Sequence, residues 1–350
     1  MRHLFTKMNR RFAEKTKVSV RQALKLAMEE EMERDPSVFL IGEEVAQYQG
    51  AYKISAGMLQ KFGPERVVDT PITEAGFTGL AVGASLNGTK PIVEFMTWNF
   101  ALQAIDHIVN SCAKVRYMSG GDLHGSIVFR GLNGPAASVG AQHSQCFAAW
   151  YSNIPGLKVV SPYDAYDCKM LLKASIRDNA PIVFLENELM YSREFEVDQD
   201  FFDPNIIEPI GKAKIMCEGT DCTVISFSRM VGECVEAAKH LAEEGISVEV
   251  VNLRTIRPLD RETIIKSAMK TGRVVAVEDG YPQSGVTAEI ISTIVESPAF
   301  DYLDAPPERV TAWDIPLAYA KTLESATVPQ VENIIKAVKK TLIGTTKNRQ

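Results

Sequence analysis

The chain has 350 residues, a formal net charge of −6, and 45% hydrophobic and 23% charged residues. This length can form about two domains of ordinary size, each with its own apolar core. The acidic balance and the lack of a basic stripe argue against a nucleic-acid partner. No apolar run reaches the roughly 20 residues that a membrane-spanning helix needs.

The N-terminal segment MRHLFTKMNRRFA contains four basic side chains and no acidic one. This composition is typical of an organelle transit peptide, which would indicate a mitochondrial location. It is equally typical of a basic terminus without a targeting role. We therefore assign residues 1–17 to a transit peptide or a basic tail.

A helix is predicted directly after this segment. Ser19 and Gln22 have the spacing of a capping box, in which the N-cap residue and the third helical residue exchange hydrogen bonds. Apolar residues recur at helical spacing through SVRQALKLAMEEEMER. The pattern predicts an amphipathic helix with one buried face.

The following segments alternate between short apolar runs and helical patterns. The runs rich in β-branched or aromatic residues, which predict buried strands, are VFLIG, PIVEFM, SIVFRG, KVVSP and PIVFLE. Strands that alternate with helices in this way predict a parallel sheet covered by helices on both faces.

The alternation stops at FEVDQDFFDPNIIEP, an acidic stretch without either period, which predicts a linker. It starts again with the strand-like runs TVISFS, SVEVVNL, RVVAVED and RVTAWD. The helical segment VGECVEAAKHLAEEG should end at Gly245, a natural C-cap. We therefore predict an α/β protein with two doubly wound domains, residues 18–200 and 210–343, joined by a linker at 201–209 and followed by a polar tail at 344–350.

Several common kinds of site are disfavoured. The six cysteines form no C-x-x-C pair, which argues against a zinc or redox site and favours a reducing compartment. The five histidines have no metal-binding spacing. The segment GASLNGTK has Thr and Lys in the wrong order for a P-loop, and no G-x-S-x-G motif is present. A P-loop nucleotidase and a serine hydrolase therefore have no support.

Glu74 lies in DTPITEAGFTGLAVG, at the predicted start of a glycine-rich, largely apolar helix. On its own this position says little, because the helix dipole favours an acidic residue in the first turn. Gly76, Gly79 and Gly83 lack the spacing of a dinucleotide-binding motif. Close packing of the helix on a neighbour explains them more simply.

A longer series of segments carries a family resemblance. These segments are EFMTWNFALQAIDHIVN, YMSGG, GLNGPAASVGAQHSQCFAAWYSNIPGLKVVSP, VNLRTIRPLD and LDAPPERVTAWDIPLAYAKTLE. Their content and order closely resemble the beta subunits of thiamine diphosphate dependent 2-oxo acid dehydrogenases, over about residues 18–342. AQHSQCFAAWY and MTWNF are most similar to the pyruvate branch. The resemblance implies a transketolase-like pyrimidine-binding domain followed by a transketolase C-terminal-like domain.

The resemblance also implies a thiamine diphosphate site at a subunit boundary. Glu74 matches the glutamate that hydrogen-bonds N1′ of the aminopyrimidine and thereby helps the cofactor to lose its thiazolium C2 proton. Ile72, Met96 and Phe100 match residues that line the pyrimidine pocket, although each alone would be assigned to packing. His143, in a loop where a histidine is usually only solvated, matches an active-site histidine. That histidine acts on the substrate-derived intermediate or in transfer to the lipoyl group.

Two metal ions follow from the same resemblance. A structural potassium ion would be held mainly by backbone carbonyls, since hard cations prefer oxygen ligands, and the positions are Ile127, Ser175, Ile176, Asp178 and Ala180. The family binds the diphosphate through Mg²⁺ with a Gly-Asp-Gly segment, and this chain contains none. A different alpha subunit is therefore expected to supply the Mg²⁺ site.

The expected partners are that alpha subunit, in an alpha2-beta2 heterotetramer, and the dihydrolipoyl acetyltransferase core, with Asp304 near the docking surface. The implied reaction is oxidative decarboxylation of pyruvate and reductive acetylation of the lipoyl group. It would take place in the mitochondrial matrix or, alternatively, in a bacterial cytoplasm. The chain continues as IGTTKNRQ, a few residues past the expected end of such subunits. If the terminal carboxylate of such subunits contacts the core, that contact should differ here.

Three alternatives remain open. A branched-chain 2-oxo acid dehydrogenase has the same architecture and would differ in substrate preference. A non-catalytic scaffold subunit would keep normal turnover when Glu74 is replaced. A one-chain enzyme such as transketolase would bind the cofactor tightly with Mg²⁺ and without a partner.

Overall fold

The structure, a computed structural model, describes residues 15–343. The predicted polar tail and residues 1–14 of the predicted N-terminal segment lie outside the described residues. Regular structure begins with a strand at Thr16. The strand therefore starts inside the segment that the sequence assigns to a transit peptide or basic tail.

Strands and helices alternate over most of the described chain. The strands are β1 (Thr16–Ser19), β2 (Val38–Gly42), β3 (Val67–Asp69), β4 (Lys90–Glu94), β5 (Val128–Leu132), β6 (Lys158–Val160), β7 (Ile182–Glu186), β8 (Glu194–Val197), β9 (Lys214–Cys217), β10 (Cys222–Ser226), β11 (Val248–Asn252), β12 (Thr255–Arg257), β13 (Val274–Val277) and β14 (Glu308–Val310). The helices are α1 (Val20–Arg34), α2 (Met58–Phe62), α3 (Glu74–Leu86), α4 (Val115–Met118), α5 (Ala148–Ser152), α6 (Ala165–Arg177), α7 (Met230–Glu243), α8 (Arg261–Thr271), α9 (Val286–Val295), α10 (Lys321–Thr327) and α11 (Val331–Leu342).

The first domain is built on a seven-stranded sheet with the order β12-β6-β7-β5-β4-β2-β3. Its strands are parallel except β12, which runs antiparallel to β6. Side chains alternate between the two faces of each strand. Leu40 and Ile92 pack with α1 and α6 on one face, whereas Ile41 and Val93 pack with α3 on the other. The predicted sheet with helices on both faces is confirmed.

Helix α1 begins as predicted. Ser19 is its N-cap, and the backbone N–H of Ser19 donates to the side-chain oxygen of Gln22 at 2.9 Å. The backbone N–H of Gln22 donates to the Ser19 hydroxyl oxygen at 3.3 Å. These reciprocal bonds satisfy N–H groups that have no partner within the helix.

The second domain is built on a five-stranded sheet with the order β14-β13-β10-β11-β9, in which only β9 is antiparallel to its neighbour. Helices α7 and α11 cover one face, and α8 and α9 cover the other. Gly245 follows the end of α7 with φ +79°. Glycine adopts this left-handed conformation without strain, in line with the predicted C-cap.

Each run predicted as a strand contains or overlaps an observed strand, but five short strands were missed. One correction concerns the stretch predicted as a linker, residues 195–209. Its first residues belong to β8, which pairs antiparallel with β1, and Phe201 is fully buried. The alternation Glu194-Phe195-Glu196-Val197 extends over only one short strand, so it does not stand out from the surrounding acidic sequence.

The two domains are joined by more than the connecting chain. Strand β12 lies between second-domain elements in sequence but adds to the edge of the first sheet, next to β6. The buried carboxylate of Asp167 in α6 accepts hydrogen bonds from Asn252 Nδ2 and Arg254 Nε, both at 2.8 Å. One apolar cluster also continues from the first sheet into the second.

Within residues 15–343, no helix is both long and apolar enough to cross a membrane. All six cysteines are free thiols.

Candidate active site

The candidate active site lies at the carboxyl edge of the first sheet, where β2, β3 and β4 end. Ligands of parallel α/β sheets generally bind at this edge. Asp69 accepts hydrogen bonds from the backbone N–H groups of Ala46 and Gln47 at 2.7 and 3.0 Å, which fixes the turn after β2. The last residue of β2 is Gly42, where a side chain has no room because a Cβ would lie 2.5 Å from the carbonyl oxygen of Glu94.

Glu74 is the first residue of α3, as predicted, and is only 4% exposed. Its N-cap residue, Thr73, makes no side-chain capping bond. No hydrogen bond or ion pair from the described part of the chain reaches the Glu74 carboxylate. The oxygens of this carboxylate are not sealed from solvent, so they are available to accept a hydrogen bond from a ligand.

Glu43, directly after β2, is a second buried acid in the same place. It is 7% exposed, and its Oε1 atom has no hydrogen-bond partner within residues 15–343. Burial, and then the negative charge of Glu74, raise the pKa of Glu43. This residue was not predicted, although an acidic pair directly after a buried strand was a usable signal.

The segment after β4 carries two of the predicted pocket residues, Met96 and Phe100, and both are half-buried. Several contacts hold this segment, and two of them are made by its aromatic side chains. The ring of Phe95 lies 5.8 Å from the ring of Phe77 in α3. The buried indole of Trp98 donates a hydrogen bond to a backbone carbonyl of β7 at 3.3 Å. Glu74 and this segment are therefore connected through α3.

Ile72, the third predicted pocket residue, is 84% exposed. Leu80, on α3, is exposed as well. Neither side chain is enclosed by the described chain, so this side of the site is open. Ile72 can line a closed pocket only when another molecule covers it, and its role stays a prediction.

His143 lies in a loop between β5 and α5, residues 133–147, called the His143 loop below. Its side chain is exposed, and its ring lies 5.2 Å from the ring of Phe100 in an edge-to-face arrangement. The side-chain oxygen of Asn99 accepts hydrogen bonds from N and Nε2 of Gln145 at 3.2 and 3.1 Å. The fold therefore brings His143 to the segment that carries Phe100.

A buried ionic cluster lies beside this site, and no sequence pattern indicated it. Arg130 in β5 is 1% exposed and donates from Nε and Nη2 to the carboxylate of Glu186 at 2.7 and 2.6 Å. It also donates from Nη1 to Glu94, and the Tyr191 hydroxyl donates to Glu186 at 2.5 Å. Burial lowers the pKa of Arg130, but the charges of Glu186 and Glu94 outweigh it and raise the pKa.

The residues assigned to potassium lie at the opposite, amino edge of the sheet. Asp178 connects them, because its carboxylate accepts hydrogen bonds from Ala180 N at 2.9 Å and Lys158 Nζ at 2.5 Å. Its carbonyl oxygen accepts the hydroxyl of Ser126 at 2.5 Å. These bonds bring the start of β5 and the end of α6 together.

The carbonyls of Ile127 and Ser175 each accept one backbone N–H, at 2.9 and 3.3 Å. A carbonyl oxygen has two lone pairs, so each keeps one for another ligand. Ile176 is buried next to them. No group of three or more His, Cys, Asp or Glu side chains in residues 15–343 could hold a metal ion. That search concerns side chains, and the carbonyl-held ion stays a prediction.

Asp304 lies in the second domain, away from the other predicted residues. Its carboxylate is 3.4 Å from Nη1 of Arg273, and its backbone N–H donates to Gly272 at 2.7 Å. It is half-buried. Its part in docking stays a prediction.

Comparison with known proteins assigns both domains. Residues 16–193 match the transketolase pyrimidine-binding domain, and residues 211–334 match the transketolase C-terminal domain. A split-gene transketolase, solved as an inactive beta4 tetramer, has a similar fold with a TM-score of 0.74. It shares 23% identity and is matched over 93% of this chain and 98% of its own, a likeness that concerns the fold alone.

Curated relatives are considerably more similar. The mitochondrial pyruvate dehydrogenase E1 component subunit beta-1 of Arabidopsis thaliana is 60% identical over 92% of this chain and 89% of its own length. The mitochondrial subunit beta of Homo sapiens is 58% identical over 93% of this chain and 90% of its own length. These matches confirm the predicted two-domain fold class, the pyruvate branch and the mitochondrial location. The chain belongs to the family of pyruvate dehydrogenase E1 component beta subunits.

Proposed function

We propose that the chain holds the aminopyrimidine end of thiamine diphosphate in a pyruvate dehydrogenase, and that an alpha subunit completes the active site. The reaction is oxidative decarboxylation of pyruvate with transfer of the acetyl group to the lipoyl group of dihydrolipoyl acetyltransferase. The observation that carries this proposal is Glu74, a buried residue whose carboxylate has no partner within the described residues and which lies at the ligand-binding edge of the sheet.

The residues present fit an aminopyrimidine. Such a ring offers a basic nitrogen at its edge and two apolar faces, and the buried carboxylate of Glu74 suits the nitrogen. Met96 and Phe100 are half-buried and provide an apolar wall for the ring faces. When bound, thiamine diphosphate supplies a carbon nucleophile that adds to the carbonyl of a 2-oxo acid and stabilises the charge left by decarboxylation.

The residues of this chain have three tasks in that reaction. Glu74 shares a proton with the pyrimidine nitrogen. Burial and the charge of Glu74 raise the pKa of the neighbouring Glu43. Phe100 and Met96 orient the ring and exclude water. His143, held beside Phe100, acts on the substrate side of the site, where an imidazole can donate or accept a proton near neutral pH.

The alpha subunit is required for two reasons. Ile72 and Leu80 present apolar surface on the open side of the site, which a second chain would cover. The sequence also lacks a Gly-Asp-Gly segment, so Mg²⁺ and the diphosphate are assigned to the alpha subunit of an alpha2-beta2 heterotetramer.

Three further assignments belong to this proposal. Potassium binds at the carbonyls of the segment around Asp178, where it would tie the amino edge of the sheet to α6. Asp304 contributes to docking on the acetyltransferase core. The assembled enzyme works in the mitochondrial matrix.

The test is Glu74→Gln in the chain co-assembled with its alpha subunit. Glutamine has the same shape but cannot share a proton in the same way, so we expect pyruvate-driven reduction of an artificial electron acceptor to fall by at least about 10²-fold. Assembly, followed by gel filtration, should stay unchanged. Glu65→Gln is the control, because Glu65 is exposed and its side chain makes no hydrogen bond or ion pair within the described residues.

Three outcomes would change the proposed function. Near-normal turnover of Glu74→Gln would contradict the catalytic role and favour a scaffold. Wild-type turnover that prefers branched-chain 2-oxo acids over pyruvate would keep the site and change the substrate. Tight Mg²⁺-dependent binding of the cofactor to the isolated chain would contradict the requirement for an alpha subunit.

A further inference from the structure

The His143 loop is held from two sides, and one side belongs to the second domain. On the first-domain side, Asn99 binds Gln145, and the Phe100 ring meets the edge of His143. On the other side lies a segment of the second domain that consists of α10 and the residues directly before it. The contacts from α10 have no part in the catalytic roles described above.

The principal contact from that segment is made by Glu324. Both of its carboxylate oxygens lie 3.0 Å from the backbone N–H of Ser138, which donates to them. Ser138 has φ +56°, a left-handed conformation that is unfavourable for serine. Glu324 is 7% exposed and forms no ion pair with the described part of the chain. A buried carboxylate therefore stabilises a strained position in the loop.

The same segment also contacts Gly140, two residues further along. Gly140 has φ +78°, and a Cβ on it would lie only 2.9 Å from the ring of Tyr319. Its carbonyl oxygen accepts the backbone N–H of His143 at 3.3 Å and the hydroxyl of Ser144 at 2.7 Å. The turn that carries His143 is thus built on Gly140.

We infer that Glu324 is a positioning residue for His143. Its bidentate contact with Ser138 fixes the start of the turn and thereby the position of the imidazole. This inference rests on the role proposed above for His143. Removal of the Glu324 carboxylate leaves the left-handed Ser138 without its acceptor, so the turn at Gly140 spreads over several conformations. A reacting group that is misplaced by about 1 Å can lose on the order of 10²-fold in rate.

The experiment uses the complete assembly with the alpha subunit and compares Glu324→Ala with Glu324→Gln. The alanine variant has no acceptor for Ser138, whereas the amide oxygen of glutamine keeps one. Glu332→Ala is the matched control, because Glu332 is exposed, lies in the next helix and makes no side-chain hydrogen bond or ion pair within the described residues. Thermal melting and gel filtration verify that each variant assembles.

Two activities are measured for each variant: decarboxylation of pyruvate with an artificial electron acceptor, and acetylation of a lipoyl domain. We expect Glu324→Ala to lower kcat by about 10- to 100-fold in whichever activity His143→Ala impairs, with little change in KM. Glu324→Gln should recover most of the loss. When Glu324→Ala is added to His143→Ala, kcat should fall by less than about a further twofold, because both changes act through one side chain.

Several results would overturn the inference. These are wild-type turnover of Glu324→Ala, full multiplication of the two losses in the double variant, and normal turnover of His143→Ala. A loss that glutamine does not rescue and that follows the melting temperature would assign Glu324 a purely structural role. Failure of the proposed function is separable, because it would appear as normal turnover of Glu74→Gln. A strong loss in Glu74→Gln together with normal turnover of Glu324→Ala would reject this inference alone.

Discussion

Two clusters of buried acidic residues lie at the same edge of the first sheet, and they differ in one respect. Glu94 and Glu186 are neutralised by Arg130, which donates to both. Glu43 and Glu74 have no cation and no hydrogen-bond donor for their carboxylates within the described chain. The first cluster is complete in itself, whereas the second would be completed by the cofactor in the function proposed above.

The two clusters should also contribute differently to the stability of the fold. A buried charge is tolerated when hydrogen bonds and an opposite charge replace its water shell. The Arg130 cluster meets this condition, so disruption should cost folding free energy. The Glu43 carboxylate does not meet it, so its neutralisation should stabilise the fold.

Arg130→Met should have the largest effect on stability. It leaves two carboxylates buried without a cation, and loss of one partner from a buried ion pair typically costs about 3–5 kcal/mol. Urea unfolding of the assembly, or its failure to remain soluble, measures this loss. Arg116→Met is the control, since the Arg116 side chain is exposed and unpaired within residues 15–343. Adding Glu94→Gln and Glu186→Gln should restore much of the stability, and no recovery would contradict the electrostatic explanation.

Tyr191→Phe should have an intermediate effect. It removes the hydroxyl that donates to Glu186 at 2.5 Å but keeps the aromatic ring in place. A hydrogen bond to a charged group contributes about 1.5–3 kcal/mol, so the urea midpoint should decrease with turnover nearly unchanged. Tyr302→Phe, at an exposed tyrosine, is the control. A large fall in turnover with an unchanged midpoint would place this cluster in the catalytic site instead.

Glu43→Gln should have the smallest effect and the opposite sign, and it should depend on pH. Burial and the Glu74 charge raise the folded-state pKa of Glu43 above its ordinary value of 4.5. Between that value and the raised pKa the folded state binds more protons than the unfolded state, so the free energy of unfolding decreases as pH rises. Glutamine removes this decrease.

The measurement for Glu43→Gln is the melting temperature of the assembly, compared with the wild type at several pH values. We expect no difference below pH 4.5 and a variant that melts higher, by about 2–4 °C, at neutral pH. Glu65→Gln serves again as the control. An equal shift at every pH would mean that the change acts through packing and not through charge.

The layered fold followed from the sequence because long apolar runs and helical periods are local signals. The short strands, such as β12 and β8, were missed since three or four residues are too few to establish a period. The start of α1 was predicted to the residue because a capping box depends on only two side chains at a fixed spacing.

The candidate site was only partly predictable. The position of Glu74 at the start of α3 was foreseen, but its burial without a partner depends on contacts between distant segments. The family resemblance, not any local pattern, singled out His143. Arg130 and Glu324 were missed because their partners lie 56 and 186 residues away in the sequence, and no pattern relates such positions.

Strand β12 has a consequence for how the gene could be divided. The sequence predicts a domain boundary near residue 209. A fragment that ended there would lack β12, the outermost strand of its sheet, and would expose β6 as an open edge. Exposed edges pair readily with other chains and promote aggregation. Two separately produced fragments would therefore have to meet through strand addition, in the manner of a peptide that completes a sheet. The two domains therefore depend on each other for a complete first sheet.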